Sequence, residues 1–315
     1  MPEASPNSPY LTFDRDTWSQ LAASTPLPFG EADIARIRSL GDVISLDEVQ
    51  QIYRPLSGLL NLHAHASAYL HDVRGMFLGD ATARTPYVIG IAGSVAVGKS
   101  TVARLLVELL ARWPDTPRVE LLTTDGFLWP NAELERRGLM DRKGFPESYD
   151  RVSLLRCLAQ VKSGEPLVEA PRYSHLRYDI VPGEKTIIRQ PDILVVEGLN
   201  VLQAARTAGG EATELVVSDF FDFSIYLDAA EPDVRQWYLD RFRTLRATAF
   251  QRPESYFHRY ASMPEADALA YADQVWQTIN RPNLEQNIEP TSLRASLVLT
   301  KGADHRVTQV RLRRV

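Results

Sequence analysis

The apolar positions of the chain follow two different periods. In the N-terminal part they recur at helical spacing. Glu31 to Leu40 sets Ile34, Ile37 and Leu40 on one face, which predicts a short amphipathic helix. Ser45-Leu46-Asp47-Glu48 has the form of a capping box opening a second, longer helix. Val49, Ile52, Leu56, Leu59 and Leu60 continue the period beyond it. Pro55 is expected to kink or split that helix, because proline brings no N–H to the ladder. Residues 1–9, rich in Pro, Ser and Asn, read as an unanchored tail.

From Tyr87 the pattern changes. The apolar runs Tyr87–Ala92, Val119–Thr123, Ile193–Val196 and Phe223–Leu227 read as strands, with helical spacing in Lys99–Trp113 and Arg151–Lys162 between them. Such alternation predicts an α/β fold with a mostly parallel central sheet flanked by helices. Leu293–Lys301 and Val307–Arg313 flank the turn Gly302-Ala303-Asp304-His305, and predict a C-terminal β-hairpin adding antiparallel strands at the sheet edge. No linker-like stretch separates the two parts. One domain over 1–315 is therefore expected, with 1–84 a tail and helical extension on an 85–315 α/β core.

Composition narrows the function classes. A net charge of −5 over 315 residues argues against broad nucleic-acid or membrane-surface binding. The one cysteine, Cys157, excludes an intramolecular disulfide and a cysteine-rich metal site; among Leu154, Leu155, Leu158 and Val161 it reads as a buried thiol. His63 and His65, two apart on a helix, face different ways and make a poor metal pair. No apolar run is long enough to span a membrane, and Met1-Pro-Glu-Ala-Ser-Pro6 lacks the regions of a signal peptide, so a cytoplasmic location is expected.

The chemistry centres on Gly93-x-x-x-x-Gly98-Lys99-Ser100, which follows a strand run and opens a helical one, the context a P-loop requires. Gly93, Ser94, Val95, Ala96, Val97, Gly98, Lys99, Ser100 and Thr101 form the candidate nucleotide site. The glycines let backbone N–H groups face a phosphate chain at a helix N-terminus. Lys99 would reach the β- and γ-phosphates, and Ser100 would hold Mg²⁺.

Ligands of such sheets bind beyond the carboxyl ends of the strands. Two carboxylates stand there, Asp125 before Gly126 and Glu197 before Gly198. The apolar strand before Glu197 resembles a Walker B segment, which makes Glu197 the metal-side acid and Asp125 the base; the competing reading is two ordinary turn pairs. Arg136-Arg137 and Arg142-Lys143 through Tyr149 read either as a polar loop closing over phosphates or as a solvated surface loop. If extended, Tyr173 and His175 point to one side, as a pocket wall or as incidental residues of a loop with Tyr178. Tyr238 and Arg241 share a helix face, suited to a carboxylate or phosphoryl group, although a helical arginine is as often a surface residue. His305 reads as an exposed turn residue with a possible ligand contact.

Together the segments closely resemble the bacterial type I pantothenate kinases. The resemblance rests on Gly93–Ser100, Thr123-Thr-Asp-Gly-Phe127, Lys143-Gly-Phe-Pro-Glu-Ser-Tyr149, Tyr173-Ser-His175, Gln190-Pro-Asp-Ile193, Glu197-Gly-Leu-Asn-Val-Leu-Gln203, Val217-Ser-Asp-Phe220, Trp237-Tyr238, Ser255-Tyr-Phe-His258 and Asn283-Leu284. It spans Pro9-Tyr10 to the final hairpin and is more specific than the P-loop, which uridine kinases and phosphoribulokinases share. It implies a P-loop kinase that uses ATP and Mg²⁺ to phosphorylate the primary hydroxyl of pantothenate to 4'-phosphopantothenate, the first step towards coenzyme A. A homodimer, with coenzyme A as an inhibitor overlapping ATP, is implied as well. Carried over by motif, Asp125 activates the hydroxyl, with Lys99 and Arg241 beside it in catalysis. Tyr173, His175, Tyr238, Arg241 and Asn280, with Lys143 and Tyr178, line the pantothenate site. Arg104, His175 and Lys99 hold the inhibitor, and Ser100 and Glu197 the metal. Two places depart from the family pattern: Trp129, where Tyr or His is expected, and 204–215, which reads as a flexible loop. Two other readings are a kinase for uridine or another hydroxylated metabolite, and a nucleotide-dependent switch. The absence of an Asn-Lys-x-Asp guanine signal weighs against the switch.

Overall fold

The structure, a computed structural model, describes residues 8–22, 29–37, 44–79, 84–204 and 215–314. Most of the expected tail and of the 204–215 loop lies outside the described residues. The chain opens with a strand that the helical reading of this region does not contain. In β1 (Tyr10–Asp14), Tyr10 and Phe13 are buried and the Tyr10 phenol donates to the Ala295 carbonyl at 2.7 Å. Asp14 then caps α1 (Arg15–Ser19), accepting from the Thr17 N–H at 2.7 Å. The first expected helix is α2 (Glu31–Ile37), with Ile34 and Ile37 buried; residues 38–40 lie outside the described set.

Ser45 caps α3 (Leu46–Glu48), its hydroxyl accepting from the Glu48 N–H. A π turn over Val49–Tyr53 leads into α4 (Arg54–Leu78), so the expected effect of Pro55 takes the form of a widened turn just ahead of it. Then come β2 (Tyr87–Gly93), α5 (Lys99–Leu110), β3 (Val119–Thr123), α6 (Asn131–Arg136) and α7 (Arg151–Lys162). The strands β4 (Val168–Ser174) and β5 (Asp179–Ile188) pair antiparallel as a separate two-stranded sheet. After β6 (Ile193–Glu197) and β7 (Phe223–Ala229) come α8 (Glu231–Ala247), α9 (Glu265–Val275) and a π turn over Trp276–Asn280. The chain closes with α10 (Arg281–Asn283), a further π turn over Leu284–Ile288, β8 (Leu297–Lys301) and β9 (Val307–Arg313).

The central sheet has the order β1-β9-β8-β7-β2-β6-β3. From β3 to β8 all neighbours are parallel. The hairpin therefore corrects the expectation in two ways. Its first strand begins at Leu297, because residues 289–294 form a 3-10 turn, and β8 extends the parallel core; β9 alone runs against the other strands, with β8 and β1 pairing antiparallel on its two sides.

Alternation along β2 sends Ile89 and Ile91 to one face and Val88 and Ala92 to the other. On the first face they pack with Leu105 and Leu109 of α5 and with Ile34, Ile52, Leu56 and Leu60 of the N-terminal helices. The N-terminal segments thus share a core with the sheet. On the second face lie Leu158, Val196, Val298 and Cys157, whose thiol is buried as expected and pushed up to about 11 by that burial. No helix among the described residues is long and apolar enough to cross a membrane.

Candidate active site

The parallel strands β2, β3 and β6 end level with one another: Glu197 pairs with Ile91 of β2 and Thr123 of β3. The loop after β2 turns through left-handed backbone at Gly93 (φ 144°), Ala96 (62°) and Gly98 (98°). At Gly93 a side chain is excluded as well, since a Cβ would lie 2.7 Å from the Leu227 carbonyl. Lys99 folds back over the loop and donates to the Ser94 carbonyl at 2.7 Å. Burial pushes its ammonium down to about 8, against the pull of Glu197 and Asp125 and with the push of Arg241.

Ser100 donates to the Glu197 carboxylate, 2.9 Å from Oε1 and 3.1 Å from Oε2. Glu197 is 7 % exposed, and burial raises its pKa against the opposing charge of Lys99. Among the described residues the buried Ser94 hydroxyl has no hydrogen-bond partner. Left-handed backbone at the head of a helix, an ammonium and an orphaned hydroxyl suit a polyphosphate. A hydroxyl paired with a carboxylate suits Mg²⁺, which is held by few protein oxygens and completes its shell from phosphates and water.

The two glycines behind the acids are not there for turn geometry, because neither has positive φ. A Cβ on Gly126 would lie 2.2 Å from the Pro171 carbonyl, and one on Gly198 would lie 1.9 Å from Thr124 Oγ1. They allow close approach, which sets the turn after β3 against both β4 and β6. Asp125, in the 3-10 turn Thr124–Phe127, is thereby brought beside His175, Oδ2 to Nε2 3.9 Å. Its side chain is 31 % exposed and that of His175 73 %, so the pair lies at the cleft mouth.

The aromatic residues expected to form a wall do cluster, although β4 ends at Ser174 and His175 stands in the following turn. Tyr173 meets His175 edge to face at 5.2 Å, and Tyr178 at 6.5 Å. Tyr178, itself left-handed (φ 54°), packs on Tyr256 and Phe257 at 5.2 and 4.9 Å. Burial raises the pKa of both Tyr173 and Tyr178. Beneath them Lys143 is buried. It donates to Asn131 Oδ1 at 2.6 Å and the Tyr178 carbonyl at 2.5 Å, with its Nζ 3.9 Å from the Tyr178 ring centre. That burial lowers its pKa to about 8, opposed by Asp179 and Asp125.

On α8, Tyr238 packs on Trp276 at 5.5 Å, and burial raises its phenol to about 12, opposed by a hydrogen bond with Asn280. Two residues distant in sequence are thus joined. Arg241, exposed one turn further along α8, acts electrostatically on both Lys99 and His175 and so stands between the two halves of the site.

Other expectations fare differently. Arg136 and Arg137 both pair with Glu133, and Arg142 pairs with Glu147, so these arginines are engaged on the surface and do not close over the P-loop. Arg137 also stacks on Trp129 at 4.1 Å, which gives that unusual residue a packing role. Arg104 donates from Nε to the Ile37 carbonyl at 3.0 Å, joining α5 to α2. His305 is no free turn residue: it stacks on Trp237 at 4.1 Å, and burial lowers its pKa. Two residues near the site escaped the sequence reading as functional groups. Tyr149 has a buried hydroxyl beside Thr124 and feels both Asp125 and Glu197, and its motif position was a signal. Lys301 donates to the Val97 carbonyl of the P-loop at 3.0 Å, with no local signal at all.

Residues 88–255 match the Phosphoribulokinase / Uridine kinase family. A pantothenate kinase of Paenarthrobacter aurescens (strain TC1) is 58 % identical over 98 % of this chain and 95 % of its own length. A pantothenate kinase of Streptomyces coelicolor is 56 % identical over 100 % of this chain and 95 % of its own. Among solved structures, D-glycerate 3-kinase from Cryptococcus neoformans superposes with a TM-score of 0.57 at 13 % identity, over 81 % of this chain and 98 % of that one, a likeness of fold alone.

Proposed function

The chain belongs to the pantothenate kinases, within the phosphoribulokinase and uridine kinase family, and on that premise we propose that it transfers the γ-phosphoryl of ATP to the primary hydroxyl of pantothenate. The product is 4'-phosphopantothenate, in the first step of coenzyme A biosynthesis. The observation that carries this reading is that Asp125 acts electrostatically on both Glu197 and Lys99 and lies 3.9 Å from His175 beside Tyr173. A carboxylate there faces both a phosphate chain and an acceptor.

Each residue then has a role. The amides of 93–101 and Lys99 bind the phosphates, and Ser100 and Glu197 hold Mg²⁺. When bound, Mg²⁺ neutralises charge on the β- and γ-oxygens. Asp125 accepts the proton of the weakly nucleophilic hydroxyl, help worth roughly 10²–10⁴ in rate. Arg241 steadies the transferring phosphoryl. Tyr238, a protonated donor at neutral pH, and Asn280 receive the polar end of the acceptor, with Tyr173, His175, Tyr178 and Lys143 forming the wall and floor.

We assign the enzyme to the cytoplasm as one kinase domain, with coenzyme A as a feedback inhibitor held by Arg104, His175 and Lys99. We also read it as a homodimer. Leu62, Ala66, Tyr69, Val73 and Met76 are exposed on α4 at alternating four- and three-residue steps, the seam of a two-helix coiled coil, with Phe77 88 % exposed beside it. Sedimentation as a monomer would remove that assignment.

One ADP-release assay tests the reaction. ADP should appear only with pantothenate, not with uridine, and should fall on adding coenzyme A. Release indifferent to pantothenate would overturn the function; indifference to coenzyme A would remove the feedback alone.

A further inference from the structure

Lys301 ends β8, one strand beyond β7 and remote in sequence from the P-loop, yet its side chain is buried against it. Nζ donates to the Val97 carbonyl at 3.0 Å, and a Cβ placed on Gly98 would lie 3.2 Å from the same nitrogen. In a trans peptide the carbonyl of one residue and the N–H of the next point in opposite directions. Holding the Val97 carbonyl on the Lys301 side therefore turns the Gly98 N–H to the other side, at the start of α5.

The hairpin that carries Lys301 is itself fixed. Trp237 donates from Nε1 to the Ala303 carbonyl at 3.1 Å and stacks on His305. Across the turn, buried Glu48 accepts the Val307 N–H at 2.9 Å and pairs with Arg15. The N-terminal helices and α8 thus brace the hairpin that braces the loop.

We propose that Lys301 is a positioning residue for the phosphate chain: it fixes the Val97–Gly98 peptide with its N–H facing the phosphates and sets a positive charge behind the cradle. The proposal deepens the reading of 93–101 as the ATP site.

The test is equilibrium binding of ATP and of adenosine to the full chain, for Lys301→Met and Lys301→Gln. Glutamine keeps a donor for the Val97 carbonyl but removes the charge, and it decides the matter if the methionine variant does not fold. ATP binding should weaken about tenfold in Lys301→Met and about threefold in Lys301→Gln, while adenosine binding and the KM for pantothenate stay within about twofold. A residue that merely fills space would shift ATP and adenosine together or neither, and either result overturns the proposal. Binding of ATP needs no acceptor, so a failure of pantothenate turnover in the unaltered chain would leave this measurement standing.

Discussion

The proposed donor and acceptor ends of the cleft are built in opposite ways. The donor end is nearly one piece of chain: Gly93 to Thr101 form a loop and helix start whose shape comes from left-handed backbone at three positions. The acceptor end draws on the turn after β3, the loop after α6, the β4–β5 hairpin, α8 and the π turn over Trp276–Asn280. Its groups are held by aromatic contacts between those elements, such as Tyr178 on Phe257 and Tyr238 on Trp276. Phosphate recognition can be written locally because every phosphate chain presents the same oxygens to the same amides. Recognition of one particular alcohol needs several directions of approach, and only tertiary structure supplies them.

The largest expected effect lies where the two ends meet. Asp125→Asn keeps the volume and polarity of the side chain but cannot take the proton. Turnover should fall by roughly 10²–10⁴ while ATP affinity stays within about threefold. ADP-release kinetics alongside calorimetric ATP titration would check this. A comparable loss of ATP binding would mean that Asp125 belongs to the donor end, and the division drawn above would fail.

The same division explains what could be read from the sequence. The P-loop, the parallel strands, α7 and the N-cap at Ser45 each depend on a few neighbouring residues, and they lie where their periods and caps put them; the capping box is only half formed, because the Glu48 carboxylate turns to Arg15 and the Val307 N–H. Pro55 signalled a disturbance but not its form. A π turn ends two residues before each of Pro55, Pro282 and Pro290, which lets the ladder skip a missing donor without a break. One of those turns ends at Asn280, so the helix irregularity also delivers a residue to the site. Gly126 and Gly198 looked like turn formers because their neighbours across the sheet are invisible in one dimension; the structure gives them close approach instead. β1, the β4–β5 hairpin and Lys301 were missed for a related reason. Their short patterns gain meaning only from distant partners in β9, in each other and in the P-loop.

A smaller effect sharpens the comparison, because each end holds one lysine that burial has lowered to about 8, Lys99 at the donor and Lys143 at the acceptor. Above that pH the folded protein gives up these protons while the unfolded chain, with ordinary lysines near 10.5, keeps them. Between about 8 and 10.5 the unfolded state thus binds more protons, and the contribution of both groups to stability rises with pH. Activity should move the other way, and unequally. In the role proposed for it Lys99 must be charged to receive ATP, so kcat/KM for ATP should fall about tenfold per unit above pH 8, as a free-enzyme pKa requires. With ATP saturating, bound phosphate favours the charged Lys99, and only Lys143 is left to titrate. A neutral amine still has two hydrogens for Asn131 and the Tyr178 carbonyl, so kcat/KM for pantothenate should fall by less than about threefold up to pH 9. Equal slopes in the two profiles would show that the ends are not separable. A fall in both that tracks a loss of folded protein is excluded by the opposite sign of the stability change, which a denaturant titration at pH 7.5 and pH 9 would measure.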